Sequence, residues 1–388
     1  MAKALFANPL FKFLAVVAAP VAALLYIYIG VAEYYQIVVV MFMINVILTA
    51  SLNITNGFAG IFSMGQAGFM GIGAYAGSLL TMTAELKFSR IPGIPAWLAE
   101  AHLPFIPALV AAGLAGAAVA VVFGFPVLRA KGHYLAVMTL GMIIIIKAVL
   151  DNNAHLTNGA KGISGMERFS TLPMVFAVMI VSLFVLHRMT KSAFGRSMAA
   201  IRSDADAAAS LGINATKYRM TAFVVSAFFG AVGGSLWAHL QQTIAPSLFY
   251  FKESFSILEM SVLGGMGTLS GAFPGAAIVT FLPQFLANAE NGFRVFGFTV
   301  PALNGLSNIV MSVIFILVII RWRGGVMRSS EYIVDAMFGR DTWAGLLRKE
   351  TYVDFWNILR EGLFKNNNPH RLEEKSKQEE KDHEKENR

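Results

Sequence analysis

The chain has no cysteine, which excludes a disulfide framework and a thiolate metal site. Charge is scarce as well. Asp, Glu, Lys and Arg make up 14% of its 388 residues, against about 25% in an average soluble domain. With 56% hydrophobic residues and a mean hydropathy of +0.60, the chain cannot coat a globule of this size with polar side chains. The composition is that of a polytopic membrane protein. A phosphate loop of the form G-x-x-x-x-G-K-[ST] is also missing: "GINATK", Gly212–Lys217, has the wrong spacing. No nucleophile, base and acid stand in a recognisable arrangement. His133, His155, His187 and His239 are scattered, without metal-ligand spacing on a helix, and read as packing or interfacial residues. The chain therefore reads as a non-enzyme without cofactors of its own, and any ATP hydrolysis must be borrowed. Its net charge of +8 fits basic loops at a membrane surface better than nucleic-acid binding.

What is abundant is long apolar runs. The basic start is followed by the 18-residue run Phe13–Gly30, longer than the core of about 7–15 residues in a signal peptide, so it is read as a first span. Spans of about 20 residues are then expected near 11–30, 35–55, 59–83, 105–127, 133–150, 172–189, 219–240 and 304–321. Residues 253–290 are apolar but interrupted by "GGMGTLSGAFPG", Gly264–Gly275, which suits two short passes. The total becomes ten, with both termini inside. This orientation places thirteen Lys and Arg in inside loops, Arg129, Lys131 and Arg188 to Arg219 among them. Six (Lys87, Arg90, Lys161, Arg168, Lys252 and Arg294) fall outside. The direction is that of the positive-inside rule.

Glycine recurs where helices normally avoid it. "NGFAGIFSMGQAGFMGIGAY", residues 56–75, holds six glycines, each costing roughly 1 kcal/mol relative to alanine inside a helix. Small residues at four-residue spacing let helices in lipid approach closely. Ala59, Ser63, Ala67 and Gly71 form one such row, Ala108, Ala112, Gly116, Ala120 and Gly124 another, and Ala222, Ser226, Gly230, Gly234 and Ala238 a third. Asn53, Asn56, Ser63, Gln66 and Tyr75 are polar or amphipathic groups in or near a span, where such groups face the bundle interior or a water-filled path. Charges within spans reduce to Lys147, near enough to a span end to snorkel, and Glu259. Glu259 is expected either to hydrogen-bond freed backbone amides at the break or to line the pathway. So few membrane charges disfavour an ion-coupled carrier.

The longest inside loop, "KSAFGRSMAAIRSDADAAASLGINATKYR", Lys191–Arg219, has readable helix ends. Ser203 is the expected N-cap, Asp204 and Asp206 follow in the first turn, and Ala207 to Leu211 continue the helix. Gly212 suits the left-handed residue after it, with Ile213 supplying an apolar contact, and Asn214 caps the next helix. A loop so well specified reads as a docking surface.

"LNITNGFAGIFSMGQAGFMGIGAYAGSLL" resembles the early segment of the branched-chain amino acid ABC transporter permeases, the LivM-type subunit above all. "GRSMAAIRSDADAAASLGINATKYRMTAFVVSAFFGAVGGSLWA" is similar to the family's long loop and following span, and "LRAKGHYLAVMTLG", "LTNGAKGISGM" and "VLGGMGTLSGAFPGA" fit in the same order. The resemblance covers roughly residues 35–325. It implies an ABC importer permease fold in a bacterial inner membrane that pairs with a second, related permease and two ATPases, which bind ATP and Mg, and receives cargo from a periplasmic or surface binding protein. Arg202 and Ser203–Gly212 would then seat in an ATPase groove. Leucine, isoleucine or valine is the expected cargo, with urea or short amides as the alternative. The fold expected is thus an all-α polytopic membrane protein of about ten transmembrane helices, including glycine-broken segments, over residues 1–325. An amphipathic interfacial extension is expected at 326–365, and a charged tail, 366–388, is too polar for a core and expected to be disordered.

Overall fold

A computed structural model describes the chain between residues 30 and 327, except residues 31, 92, 131–133, 291–292, 296–297, 301–304 and 322–323. For 288–290, 293–295, 298–300 and 321 it describes the backbone alone. The expected first span and all but the first residues of the extension and tail lie outside the described residues.

Among the described residues fourteen α-helices follow one another: α1 Glu33–Asn53, α2 Gln66–Thr81, α3 Ala84–Arg90, α4 Ala96–Glu100, α5 Phe105–Val127, α6 Tyr134–Asn152, α7 Ala154–Thr157, α8 Leu172–Thr190, α9 Ala193–Ser203, α10 Ala205–Ser210, α11 Ala215–Gln241, α12 Phe251–Gly264, α13 Ala272–Glu290 and α14 Leu306–Arg321. Two short antiparallel ladders accompany them. β1, Ile163–Ser164, pairs with β2, Thr243–Ile244, and β3, Phe293–Val295, pairs with β4, Phe298–Val300. Among the described residues five helices are long and apolar enough to cross a membrane: α1 with its π-helical extension, α5, α6, α8 and α11. α13 and α14 carry shorter apolar stretches, Ala272–Ala287 and Leu306–Ile320.

α1 and α11 form the centre. In their apolar windows 72% and 67% of residues are buried, against 33% in both α5 and α6. Every residue from Met43 to Asn53 is buried, so α1 is enclosed on all sides by α8, α11, α12 and α13. α5 and α6 instead turn Val110, Leu114, Val122, Phe125, Val137 and Val149 outward. An apolar band of that extent belongs in lipid rather than water.

α11 packs on α2 and α5, and here two of the predicted small-residue rows are found. Ala108, Ala112, Gly116 and Ala120 of α5 and Ala222, Ser226, Gly230, Gly234 and Ala238 of α11 are all buried. A Cβ on Gly116 would come within 2.5 Å of the Ala231 Cβ, and one on Gly234 would run into the Met70 carbonyl. The third row does not exist. The chain is non-helical from Gly60 to Gly65, and α2 begins only at Gln66, so Ala59 and Ser63 share no helix face with Ala67 and Gly71. Ala67 is fully buried, and Gly71 lies against Phe249. The working pair on α2 is Gly73 and Gly77, seated on Ala231 and Ser235 of α11.

Lys87, expected among the outside-loop charges, lies on α3 in the connection between α2 and α5. It is fully buried, and its ammonium donates to the carbonyls of Leu98 at 3.0 Å and of Ala101, closing the C-terminus of α4. Burial pulls its pKa down. Lys147 pairs with Asp151 one helical turn away at 2.5 Å, both partly exposed. His239 is buried against the stacked rings of Phe105 and Phe169 and bonds Thr81 and the Ser235 carbonyl, which makes it a packing residue.

Candidate functional site

The loop between α8 and α11 folds into two helices rather than one. Ser192 caps α9, its hydroxyl accepting from the Phe194 amide at 3.2 Å. Gly195, Met198 and Ile201 form the buried face of α9. Ser203 is the last residue of α9, not the N-cap of the following helix, and its hydroxyl donates back to the Ala199 carbonyl. The cap of α10 is Asp204. Its backbone is extended, and one carboxylate oxygen accepts from the amides of Asp206 at 2.9 Å and Ala207 at 3.0 Å. A carboxylate there also meets the positive end of the helix dipole.

The far end of α10 is as expected. Gly212 has φ +81°, the Ile213 amide donates to the Ala208 carbonyl and the Gly212 amide to that of Ala209, the bond pair of a Schellman ending. Asn214 caps α11, accepting from the Lys217 amide at 3.1 Å. α10 thus stands between two fixed ends, with Asp206 and Ala207 exposed and Leu211 80% exposed.

α9 ends against two breaks in the bundle. α1 runs into a π-helical turn, Ile54–Phe58, and then into the non-helical stretch to Gly65. α12 ends at Gly264, and the chain passes Gly265 (φ +121°) and Gly267 (φ +89°) before α13. The two breaks touch through glycine: a Cβ on Gly57 would run into the Gly267 backbone. Arg202 closes the group, its Nη1 donating to the Gly57 carbonyl at 2.5 Å.

The polar residues singled out from the sequence are found around these breaks. Asn53, fully buried, donates to the Thr268 carbonyl at 2.8 Å and accepts from the Ser261 hydroxyl, so it ties α1 to both sides of the α12–α13 break. Asn56 and Ser63 close the turn after α1: the Asn56 side-chain amide donates to the Ser63 carbonyl at 3.0 Å and accepts from the Ser63 amide at 2.9 Å. Gln66 donates to the Ser51 hydroxyl at 2.7 Å and to the Ser226 carbonyl at 3.3 Å, joining α1, α2 and α11. Tyr75 lies farther along α2. Its hydroxyl is buried without a hydrogen bond, and its ring meets that of Phe249 edge-on.

Glu259 is half-buried on α12, and among the described residues it makes no hydrogen bond. The freed backbone at the α12–α13 break is served instead by Asn53 and by Thr268, which donates to the Gly265 carbonyl and accepts from the Gly271 amide. Thr268 carries no signal in the sequence beyond its place inside a glycine run. No group of three or more His, Asp or Glu able to hold a metal occurs among the described residues.

Residues 34–319 match the family described as branched-chain amino acid transport system / permease component. The chain belongs to this permease family. Within it the chain is similar to the high-affinity branched-chain amino acid transport system permease protein LivM of Salmonella typhimurium, 36% identical over 59% of this chain and 58% of that protein. LivM of Escherichia coli is 35% identical over 58% of this chain and 57% of its own length. A probable branched-chain amino acid transport permease protein LivM of Methanocaldococcus jannaschii is 24% identical over 63% of this chain and 78% of its own. The chain thus spans under two thirds of the length of the two bacterial relatives. No solved structure matches it. As a LivM-type permease it is an integral membrane protein, and the exposed apolar sides of α5, α6 and α14 agree.

Proposed function

We propose that this permease is one half of a hetero-dimeric importer that moves leucine, isoleucine or valine across an inner membrane by ATP-driven alternating access. The reading supplies a second, homologous permease subunit, two ATPases and a substrate-binding protein, and it puts α9 and α10 on the cytoplasmic side. The observation that carries it is the α9–α10 unit. Three side-chain caps and a Schellman ending hold a short helix whose Asp206, Ala207 and Leu211 are exposed, while its root at Arg202 reaches the bundle. Such a unit can transmit force because its ends are fixed. The missing phosphate loop fits a chain that leaves ATP and Mg to its partners. Cargo follows from the relatives, which are named for branched-chain amino acid transport. In this mechanism closure of the ATPases displaces α10, and the packed helices reorient as a body.

The test is reconstitution of the chain with the proposed partner permease, ATPases and binding protein from the same genome. ATP-dependent leucine uptake is expected, and it should vanish without ATP. A binding protein that takes urea tightly and leucine not at all would sink the amino acid reading.

A further inference from the structure

Arg202 sits in the last turn of α9, on the side of that helix turned to the bundle, although part of the residue is exposed. Its side chain runs along glycines from two segments. Nη1 donates to the Gly57 carbonyl at 2.5 Å. A Cβ on Gly267 would come within 2.7 Å of the same nitrogen, and a Cβ on Gly60 within 3.1 Å of the Arg202 Cγ. Gly60 and Gly267 both hold a left-handed backbone, at φ +67° and +89°. The groove around this side chain exists because those positions lack a Cβ.

Both segments are the places where helices stop. The carbonyl that Arg202 takes belongs to the π-helical turn that ends α1, where the regular ladder of backbone bonds gives out. Gly267 lies in the break between α12 and α13, and its backbone touches that of Gly57. One side chain therefore spans from α9 to two breaks in two different parts of the bundle.

Resting on the reading of α9–α10 as the coupling element, we propose that Arg202 is the positioning residue that passes a displacement of α9 and α10 to the α1 and α12–α13 breaks, rather than part of the surface offered to an ATPase. Breaks with left-handed glycines are where a bundle can hinge, since few backbone bonds must be exchanged there. The load is carried by a single donor–acceptor contact. A lysine, which keeps a charge and a donor, should therefore serve where a bidentate arginine contact would not be replaceable.

The absence of cysteine allows two spin labels to be placed without background, at Ser210→Cys on α10 and Met266→Cys at the α12–α13 break. The full chain in lipid nanodiscs should show one narrow distance distribution. Arg202→Ala should broaden it, and Arg202→Lys should restore it. In the reconstituted importer Arg202→Ala should lower leucine uptake tenfold or more while the ATPase subunits still co-purify at wild-type yield. An unchanged distribution, or a broadened one with unchanged uptake, overturns the proposal, as does loss of ATPase co-purification with the distance intact. If the wild-type importer carries no leucine while the label distance still depends on Arg202, the cargo reading falls and the joint stands.

Discussion

The bundle uses glycine in two opposite ways, and the contrast is sharpest between the α2–α11 interface and the joint of Gly57, Gly60, Gly265 and Gly267. At the interface Gly73, Gly77 and Gly234 sit in continuous helices, and what they supply is the missing Cβ, so that α2 and α11 approach to backbone contact. At these three positions the regular helix runs on through the contact. At the joint Gly60, Gly265 and Gly267 hold left-handed conformations between helix ends. There the backbone leans on side chains: Asn53 on Thr268, Asn56 on Ser63 and Arg202 on Gly57. One composition yields a rigid seam in the first case and a place able to move in the second. The deciding factor is who satisfies the backbone.

The largest effect that would break this contrast lies in the seam. Gly234→Ala would drive a methyl into the Met70 carbonyl, which is backbone and cannot step aside. At Gly230 the same methyl would meet the Gln66 side chain, 2.5 Å from Nε2, which can shift only by loosening its bonds to Ser51 and the Ser226 carbonyl. Overpacking of a closed core costs about 1–3 kcal/mol, occasionally more. Gly234→Ala should reach about 3 kcal/mol and Gly230→Ala about 1–2 kcal/mol, the cost of a shifted Gln66. Thermal midpoints of the purified chain should fall in that order. Equal losses at the two positions would remove the distinction between backbone and side-chain neighbours.

The joint should respond more gently to the same methyl. Gly57→Ala meets the Gly267 backbone, but here the neighbour is loop rather than helix and can shift. The expected loss is about 1–2 kcal/mol, at the lower part of the overpacking range. A midpoint drop as large as that of Gly234→Ala would show the joint to be as stiff as the seam.

Much of the seam was legible in advance. A row at four-residue spacing is visible whenever the helix is continuous, and Ala108 to Ala120 and Ala222 to Ala238 lie in helices that are. The row Ala59–Ser63–Ala67–Gly71 failed for the same reason the others held. Periodicity presumes a helix, and the stretch from Gly60 to Gly65 is none. The signs of that break were present in Asn56, Gly57 and Gly60, but glycine spells close packing and left-handed turns alike. The break between α12 and α13 was readable because Gly264–Gly275 exceeds any packing need. Arg202 as a bridge to Gly57 was not readable at all, since 145 residues separate the two. The same limit hid Lys87: only the folded chain brings the carbonyls of Leu98 and Ala101 to its ammonium.

The smallest effect concerns the helix pair that leans on the joint. Two capping residues stand side by side in "RSDAD", Arg202–Asp206, and spacing alone favoured Ser203. In the fold Ser203 is still helical and bonds back to Ala199, whereas Asp204 is extended and takes the amides of Asp206 and Ala207. A cap replaced by alanine loses about 1 kcal/mol, while an exposed helical serine changed to alanine stays within about 0.5 kcal/mol. Asp204→Ala should therefore loosen α10, read as faster amide exchange at Asp206 and Ala207, and Ser203→Ala should leave that exchange as it is. If Ser203→Ala is the variant that speeds exchange, the cap sits one residue earlier, and α9 ends before Ser203.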